Sequence, residues 1–196
     1  MKNHFTEENI SEAFETARQK QLPILIDFWA PGCKGCRKMD ISTYQDPKVL
    51  SYIEDTFIFI KFNVMAKNKV PRGTFHSSAV LWTPCFMVYA NDGTEIRKVT
   101  GYLSPDQFID EMDLGRAMAL LFKAKARDAL NLLEGLSISS SGDTIIQEVL
   151  YWCGVAAFFL QQRAPESLYP YWEKLMQEYP GSTWAERADC LSIQMY

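Results

Sequence analysis

Histidine, cysteine and positive charge are all scarce in this chain, and each shortage excludes something. Its 196 residues hold two histidines and five cysteines. An odd count of cysteines, dispersed apart from one close pair, does not make a disulfide framework. Lys and Arg number 20 against 24 Asp and Glu, a formal charge of −4. A surface that follows a phosphate backbone needs a clustered basic excess, so nucleic acid is not an expected partner. Apolar runs fall short of the roughly 20 residues that span a bilayer, and no membrane partner is expected. The opening residues, Met1-Lys2-Asn3-His4-Phe5-Thr6-Glu7-Glu8, lack the apolar core of a secretory signal. Nucleotide, flavin and metal motifs are missing too, so no cofactor is expected. A reducing, cytoplasmic setting is expected from this cysteine usage. What is present is an ordinary globular composition: 47 % of residues are hydrophobic, enough for a sizeable core in one large or two small domains.

The informative stretch runs from Ile24 to Met39. Ile24-Leu25-Ile26-Asp27-Phe28 is apolar and rich in β-branched and aromatic residues, as in a buried strand; Pro31-Gly32 punctuates it. The following residues show no strand alternation, which puts Cys33 and Cys36 at the start of a helix. A thiol there faces unpaired N–H groups and the positive end of the helix dipole, and both favour thiolate. Cys33 is the expected nucleophile. Cys36, one turn on and turned inward, is the expected resolving thiol. Lys34, Arg37 and Lys38 add positive charge that lowers the Cys33 pKa further. The competing reading is half of a zinc site, but the other ligand candidates, Cys85, Cys153, Cys190, His4 and His76, are scattered.

Residues from about 6 to 20 carry apolar groups at Ile10, Phe14 and Ala17 behind a Thr6 N-cap, predicting a helix that packs on a sheet. After the Cys helix, residues 41–47 are polar and residues 49–53 form a short helix. Residues 57–64 are a strand apolar enough to be buried on both faces, completing a βαβ unit with a parallel pair. Residues 65–78, with Pro71 and Gly73, read as a loop. Residues 85–89 and 95–100 flank the turn Ala90-Asn91-Asp92-Gly93 as an antiparallel hairpin. Ser104-Pro105 opens a helix that runs through Met112. Beyond about Asp113 only helical periodicity remains, over residues 117–133, 145–160, 168–178 and 184–193. The predicted division is 1–113 and 114–196.

Asp27-Phe28-Trp29-Ala30 before the Cys pair, Lys61-Phe62-Asn63-Val64 on the next strand, Thr83-Pro84, Asp92-Gly93 and Gly101 together resemble the thioredoxin superfamily over about residues 9–112. The Asp46-Pro47-Lys48-Val49 segment and the long early helix look most like its branch that inserts a Cys-x-x-Cys-x-x-Met and a short extra helix after it. The resemblance implies an α/β fold, a mixed sheet flanked by helices. It implies a cis peptide at Thr83-Pro84 facing Cys33, with the Thr83 backbone pairing to substrate; the expected substrate-binding residues are Trp29, Gly32, Lys34, Trp82, Thr83 and Pro84. Asp27 matches the buried acid beneath the resolving cysteine and Lys61 the lysine beside it. Burial raises a carboxyl's pKa, fitting Asp27 to accept the Cys36 proton; the alternative is a structural acid satisfied by Lys61. Trp82 reads either as groove or as packing, and Cys85 either as a third redox thiol or as a buried strand cysteine. Gly32 stands where the family commonly has tryptophan, and Lys34-Gly35 replaces a common Gly-Pro, which shifts the expected reduction potential.

The second half resembles degenerate tetratricopeptide helical pairs. Residues 148–158 look like a first helix with small residues where helices cross, and residues 171–182 like a second helix with its Tyr179-Pro180 turn. Such pairs bind peptides or proteins on a concave face; the plainer reading makes Trp152, Phe158, Phe159, Tyr169 and Trp172 core residues. Cys153 and Cys190 are expected to be buried helix cysteines. The expected function is a thiol–disulfide oxidoreductase that reduces protein disulfides. Its electron donor would be a thioredoxin-reductase-like enzyme or glutathione, and the helical part a protein-interaction module. The rival is an adaptor whose Cys pair senses redox state or is vestigial.

Overall fold

The computed structural model describes residues 3–66, 80–140 and 142–190. The chain divides into two compact units, Met1–Gly115 and Arg116–Tyr196.

The first unit is a five-stranded mixed sheet in the order β1-β3-β2-β4-β5. The strands are β1 (His4–Thr6), β2 (Ile24–Trp29), β3 (Ile58–Asn63), β4 (Cys85–Tyr89) and β5 (Glu95–Thr100). β3 pairs in parallel with β1 and β2, while β4 runs antiparallel to β2 and β5. Side chains alternate between the faces of a strand, so β2 feeds two cores. Ile24, Ile26 and Phe28 meet Ile10, Phe14 and Ala17 of α1 (Ile10–Lys20) on one face. On the other, Leu25 joins Met39 of α2 (Lys34–Ile41), Val49 and Ile53 of α3 (Pro47–Thr56) and Phe108 and Met112 of α4 (Pro105–Phe122). Asp27 follows Leu25 in the alternation and Lys61 follows Phe59, so both lie on the face that α2 covers.

Several expectations are corrected. β1 has no counterpart in the sequence reading, and Thr6 ends it and caps a 3-10 turn, Glu7–Asn9, with its hydroxyl accepting from the Glu8 amide at 3.3 Å. Burial along β3 is complete only for Ile58, Phe59 and Ile60. The segment 41–47, read only as polar, holds the end of α2 at Ile41 and a 3-10 turn over Thr43–Gln45. α4 is continuous through residue 122, and the helix expected over 117–133 is broken at Ala124, whose φ is +58°. The loop expected at 65–78 falls mostly on residues 67–79, outside the described residues.

The second unit is helical. α5 (Ala126–Ser139), α6 (Asp143–Leu160), α7 (Tyr169–Glu178) and α8 (Thr183–Ala188) follow one another, with a 3-10 turn at Pro165–Leu168. Against the expectation that every apolar stretch falls well short of a membrane span, α6 is long and apolar enough by length and composition. Its Val149, Leu150, Cys153, Gly154, Ala156 and Ala157 are buried within the unit. Gly154 lets α7 approach: a Cβ there would lie 2.4 Å from Trp172 Nε1. That indole donates to the Tyr151 carbonyl at 2.9 Å and stacks on the Tyr151 ring. Trp172 is core as expected, whereas Phe159 and Tyr169 are exposed. Cys153 is buried, but Cys190 is exposed in the turn after α8, so it is not a buried helix cysteine. The last helix expected, 184–193, extends into residues outside the described set.

Candidate active site

β2 delivers the chain to Ala30-Pro31-Gly32, and Gly32 turns it at φ +76°, a region open to glycine at little cost. The Cys33 amide donates to the Ala30 carbonyl at 3.2 Å. Cys33 is then the N-cap of α2, its Sγ accepting from the Cys36 amide at 3.0 Å. An acceptor at this position satisfies one of the helix's otherwise unpaired donors and sits at the positive end of its dipole. The two cysteines are joined in a disulfide. Cys36 is 6 % exposed, whereas Cys33 is only half-buried. Lys34, Arg37 and Lys38 are exposed around them, and Lys38 Nζ lies 3.9 Å above the Tyr102 ring.

The Thr83-Pro84 peptide is cis. Its proline ring is packed so closely on α2 that a Cβ on Gly35 would lie 2.7 Å from Pro84 Cδ. One groove brings Cys33 together with Gly32, Lys34, Trp82, Thr83 and Pro84, and adds Tyr102. Trp82 is 71 % exposed there. Trp29 is not in this groove; it lines a separate recess with Glu7, Glu8, Asp40 and Lys61. Tyr102 is absent from the groove expected from the sequence, although Gly101 beside it carries part of the resemblance.

Asp27 is 2 % exposed, and burial pushes its carboxyl up to about 6 against the opposing pull of the Lys61 charge and a hydrogen bond. That bond comes from the Tyr44 hydroxyl, which donates to Oδ2 at 2.9 Å. Oδ1 is buried without a hydrogen-bond partner among the described residues. Lys61 faces Asp27 across the β2–β3 register but pairs with Asp40, so the alternative of an acid satisfied by Lys61 is not what the structure holds. Tyr44 and Asp40 are the residues that sequence reasoning misses. Cys85 lies on the opposite, α1 side of the sheet, fully buried, with its thiol pushed up by burial. Among the described residues no cluster of three His, Cys, Asp or Glu is placed to hold a metal; His76 lies outside them.

The model of the thioredoxin-like domain matches residues 10–116. The thiol:disulfide interchange protein DsbD of Campylobacter jejuni is 25% identical over 105 residues, which is 54% of this chain and 18% of that protein. DsbD of Salmonella typhimurium is 28% identical over 105 residues, 53% of this chain and 18% of its own length. The chain therefore spans less than a fifth of these curated relatives. Among solved structures, the oxidised C-terminal domain of Neisseria meningitidis DsbD gives a TM-score of 0.46 at 22% identity, covering 55% of this chain and 94% of that one. The reduced periplasmic thioredoxin SoxS of Paracoccus pantotrophus gives 0.39 at 21%, covering 50% and 95%. With more than half its length matched by the family's model and a redox-type Cys-x-x-Cys at the head of α2, the chain belongs to the thioredoxin-like domain family.

Proposed function

We propose that the chain is a thiol–disulfide oxidoreductase that reduces protein disulfides with the Cys33/Cys36 dithiol. The observation that carries this reading is the asymmetry of the pair: an accessible Cys33 at a helix N-cap, open to the cis-proline groove, and a buried Cys36 one turn along. Thiolate Cys33 attacks a substrate disulfide, and the mixed disulfide lies along Thr83-Pro84, with the Thr83 backbone pairing to the substrate chain. Cys36 gives its proton to Asp27 and attacks Cys33, releasing reduced substrate. A thioredoxin-reductase-like donor or glutathione restores the dithiol. Lys61 acts at a distance, its charge holding Asp27 lower than burial alone would. The relatives' name, thiol:disulfide interchange protein, supports the chemistry. Assignment to the Cys-x-x-Cys-x-x-Met branch is supported by the buried Met39 and by the short α3 that follows α2 after one 3-10 turn.

The second unit is proposed as a tetratricopeptide-like module for a protein partner, on the strength of the glycine crossing between α6 and α7. The three unpaired cysteines, Cys85, Cys153 and Cys190, suit a reducing cytoplasm, the compartment proposed here. The test is a titration in glutathione buffers that follows Cys33 by alkylation, with Cys36→Ser used for the Cys33 pKa. A strongly reducing two-electron couple, together with loss of turnover in Cys33→Ser, supports a reductase. A much more oxidising couple makes it a disulfide donor or isomerase. If Cys33→Ser changes no activity, the adaptor reading replaces both.

A further inference from the structure

The Tyr44 hydroxyl is an oddity in its surroundings. Its ring packs edge-on against Phe59 at 5.7 Å and Phe108 at 5.8 Å, in the apolar layer between the sheet and the helices. A phenylalanine would fill that space without burying a polar atom, and a buried hydroxyl costs stability unless it is hydrogen-bonded. The bond it makes goes to Asp27 Oδ2, at 2.9 Å. Asp27 is itself a costly residue, with its second oxygen, Oδ1, buried and unpartnered among the described residues. The fold thus keeps two buried polar groups bonded to each other, and leaves one carboxylate oxygen open.

We propose that Tyr44 is a positioning residue for the resolving step: its hydroxyl holds Oδ2 of Asp27, so that Oδ1 alone is left to take the Cys36 proton. This rests on the reading of Asp27 as the proton acceptor. In that step the Cys36 Sγ–H proton passes to Oδ1, and the thiolate electron pair forms a bond to Cys33 Sγ. The bond between Cys33 and the substrate sulfur breaks, and its electron pair leaves with the substrate thiolate. The dithiol is oxidised by two electrons and the substrate disulfide reduced by two. Tyr44 keeps its own proton, because burial and the Asp27 charge push its hydroxyl well above the ordinary range. It therefore donates to the charged Asp27 carboxylate. The other groups acting on Asp27 are Lys61 of β3, which favours the charged acid, and Asp40 of α2, which opposes it; the Cys85 thiol of β4 also feels the Asp27 charge.

The experiment uses Tyr44→Phe in the full chain, which keeps the ring and removes the hydroxyl. Reduced protein is mixed with dithionitrobenzoate, and the second release of thionitrobenzoate, when Cys36 resolves the Cys33 adduct, is followed from pH 5 to 9. In parallel, the Asp27 carboxyl is titrated by carbon NMR. A hydrogen bond to the charged form lowers a carboxyl's pKa, so its loss moves both the carboxyl titration and the acidic limb of the rate upward. A shift of about one pH unit reads as ~10-fold slower resolution at pH 5 and little change at pH 9. In an Asp27→Asn background, Tyr44→Phe then changes nothing further. If Asp27→Asn loses the acidic limb while Tyr44→Phe leaves it in place, the role of Tyr44 is overturned and Asp27 stands. If Asp27→Asn keeps the wild-type limb, Asp27 is not the acceptor and the proposal falls with it.

Discussion

Asp27 weakens the fold at neutral pH, and the sign follows from its titration. Its carboxyl rises from the ordinary 3.8 to about 6 in the folded protein, so the folded state binds the proton more tightly than the unfolded one. Its favourable contribution is complete below about pH 4 and is lost as pH rises through 6, an amount on the order of 3 kcal/mol at about 1.4 kcal/mol per unit. Asp27→Asn should therefore stabilise the protein at pH 8 by about 2 kcal/mol, and at pH 4 by much less, read from urea unfolding at the two pH values. Gly35 offers a second test. A methyl at this position would press into the Pro84 ring, so under the proposed reductase activity Gly35→Ala should slow reduction of insulin disulfides by about 10-fold or more and cost ~1–3 kcal/mol. Both cysteines, the cis proline and the buried acid are legible in the sequence because each sits inside a contiguous motif. Tyr44 is not: residues 41–47 read as polar by composition, and its partner is 17 residues away across the α2 face. The Lys61 pairing fails for the same kind of reason, since a strand neighbour in register need not be the nearest carboxylate.

Elements are readable where their period is long. β2, β4, β5, α3, α6 and α7 follow from apolar alternation, turn residues or helical spacing. β1 escapes because three residues, His4–Thr6, are too few to show a period of two, and it exists through pairing with β3. The break after α4 escapes because Lys123-Ala124-Lys125-Ala126-Arg127 has high helix propensity; a left-handed alanine ends the helix. In the helical unit, the α6–α7 contact depends on one missing side chain. Gly154→Ala would drive a methyl into the Trp172 indole and disturb its bond to the Tyr151 carbonyl. A loss of ~2–3 kcal/mol is expected, measured by urea unfolding with indole fluorescence. Trp172→Phe in the same assay should cost less, since it surrenders the hydrogen bond and part of the stack but adds no overlap.

At the scale of the whole chain, a boundary near residue 114 falls inside a helix, because α4 runs unbroken to Phe122. Proteases cut where backbone is locally released, not within packed helices. Within residues 113–126, brief trypsin treatment should therefore cleave after Lys123 or Lys125 and spare Arg116, as mass spectrometry of the fragments will show. One further consequence reaches from a single atom to the entire molecule. The sulfur that caps α2 is also one half of the Cys33–Cys36 disulfide, so folding and oxidation of this pair close a thermodynamic square. The difference in unfolding free energy between the disulfide and dithiol forms must equal the difference in driving force for reducing that disulfide in the unfolded and folded chain, with ~30 mV corresponding to ~1.4 kcal/mol. Whatever the Cys36 amide lends to a Cys33 thiolate is returned as resistance of the reduced protein to unfolding, so a pair of melting curves can serve as an electrode.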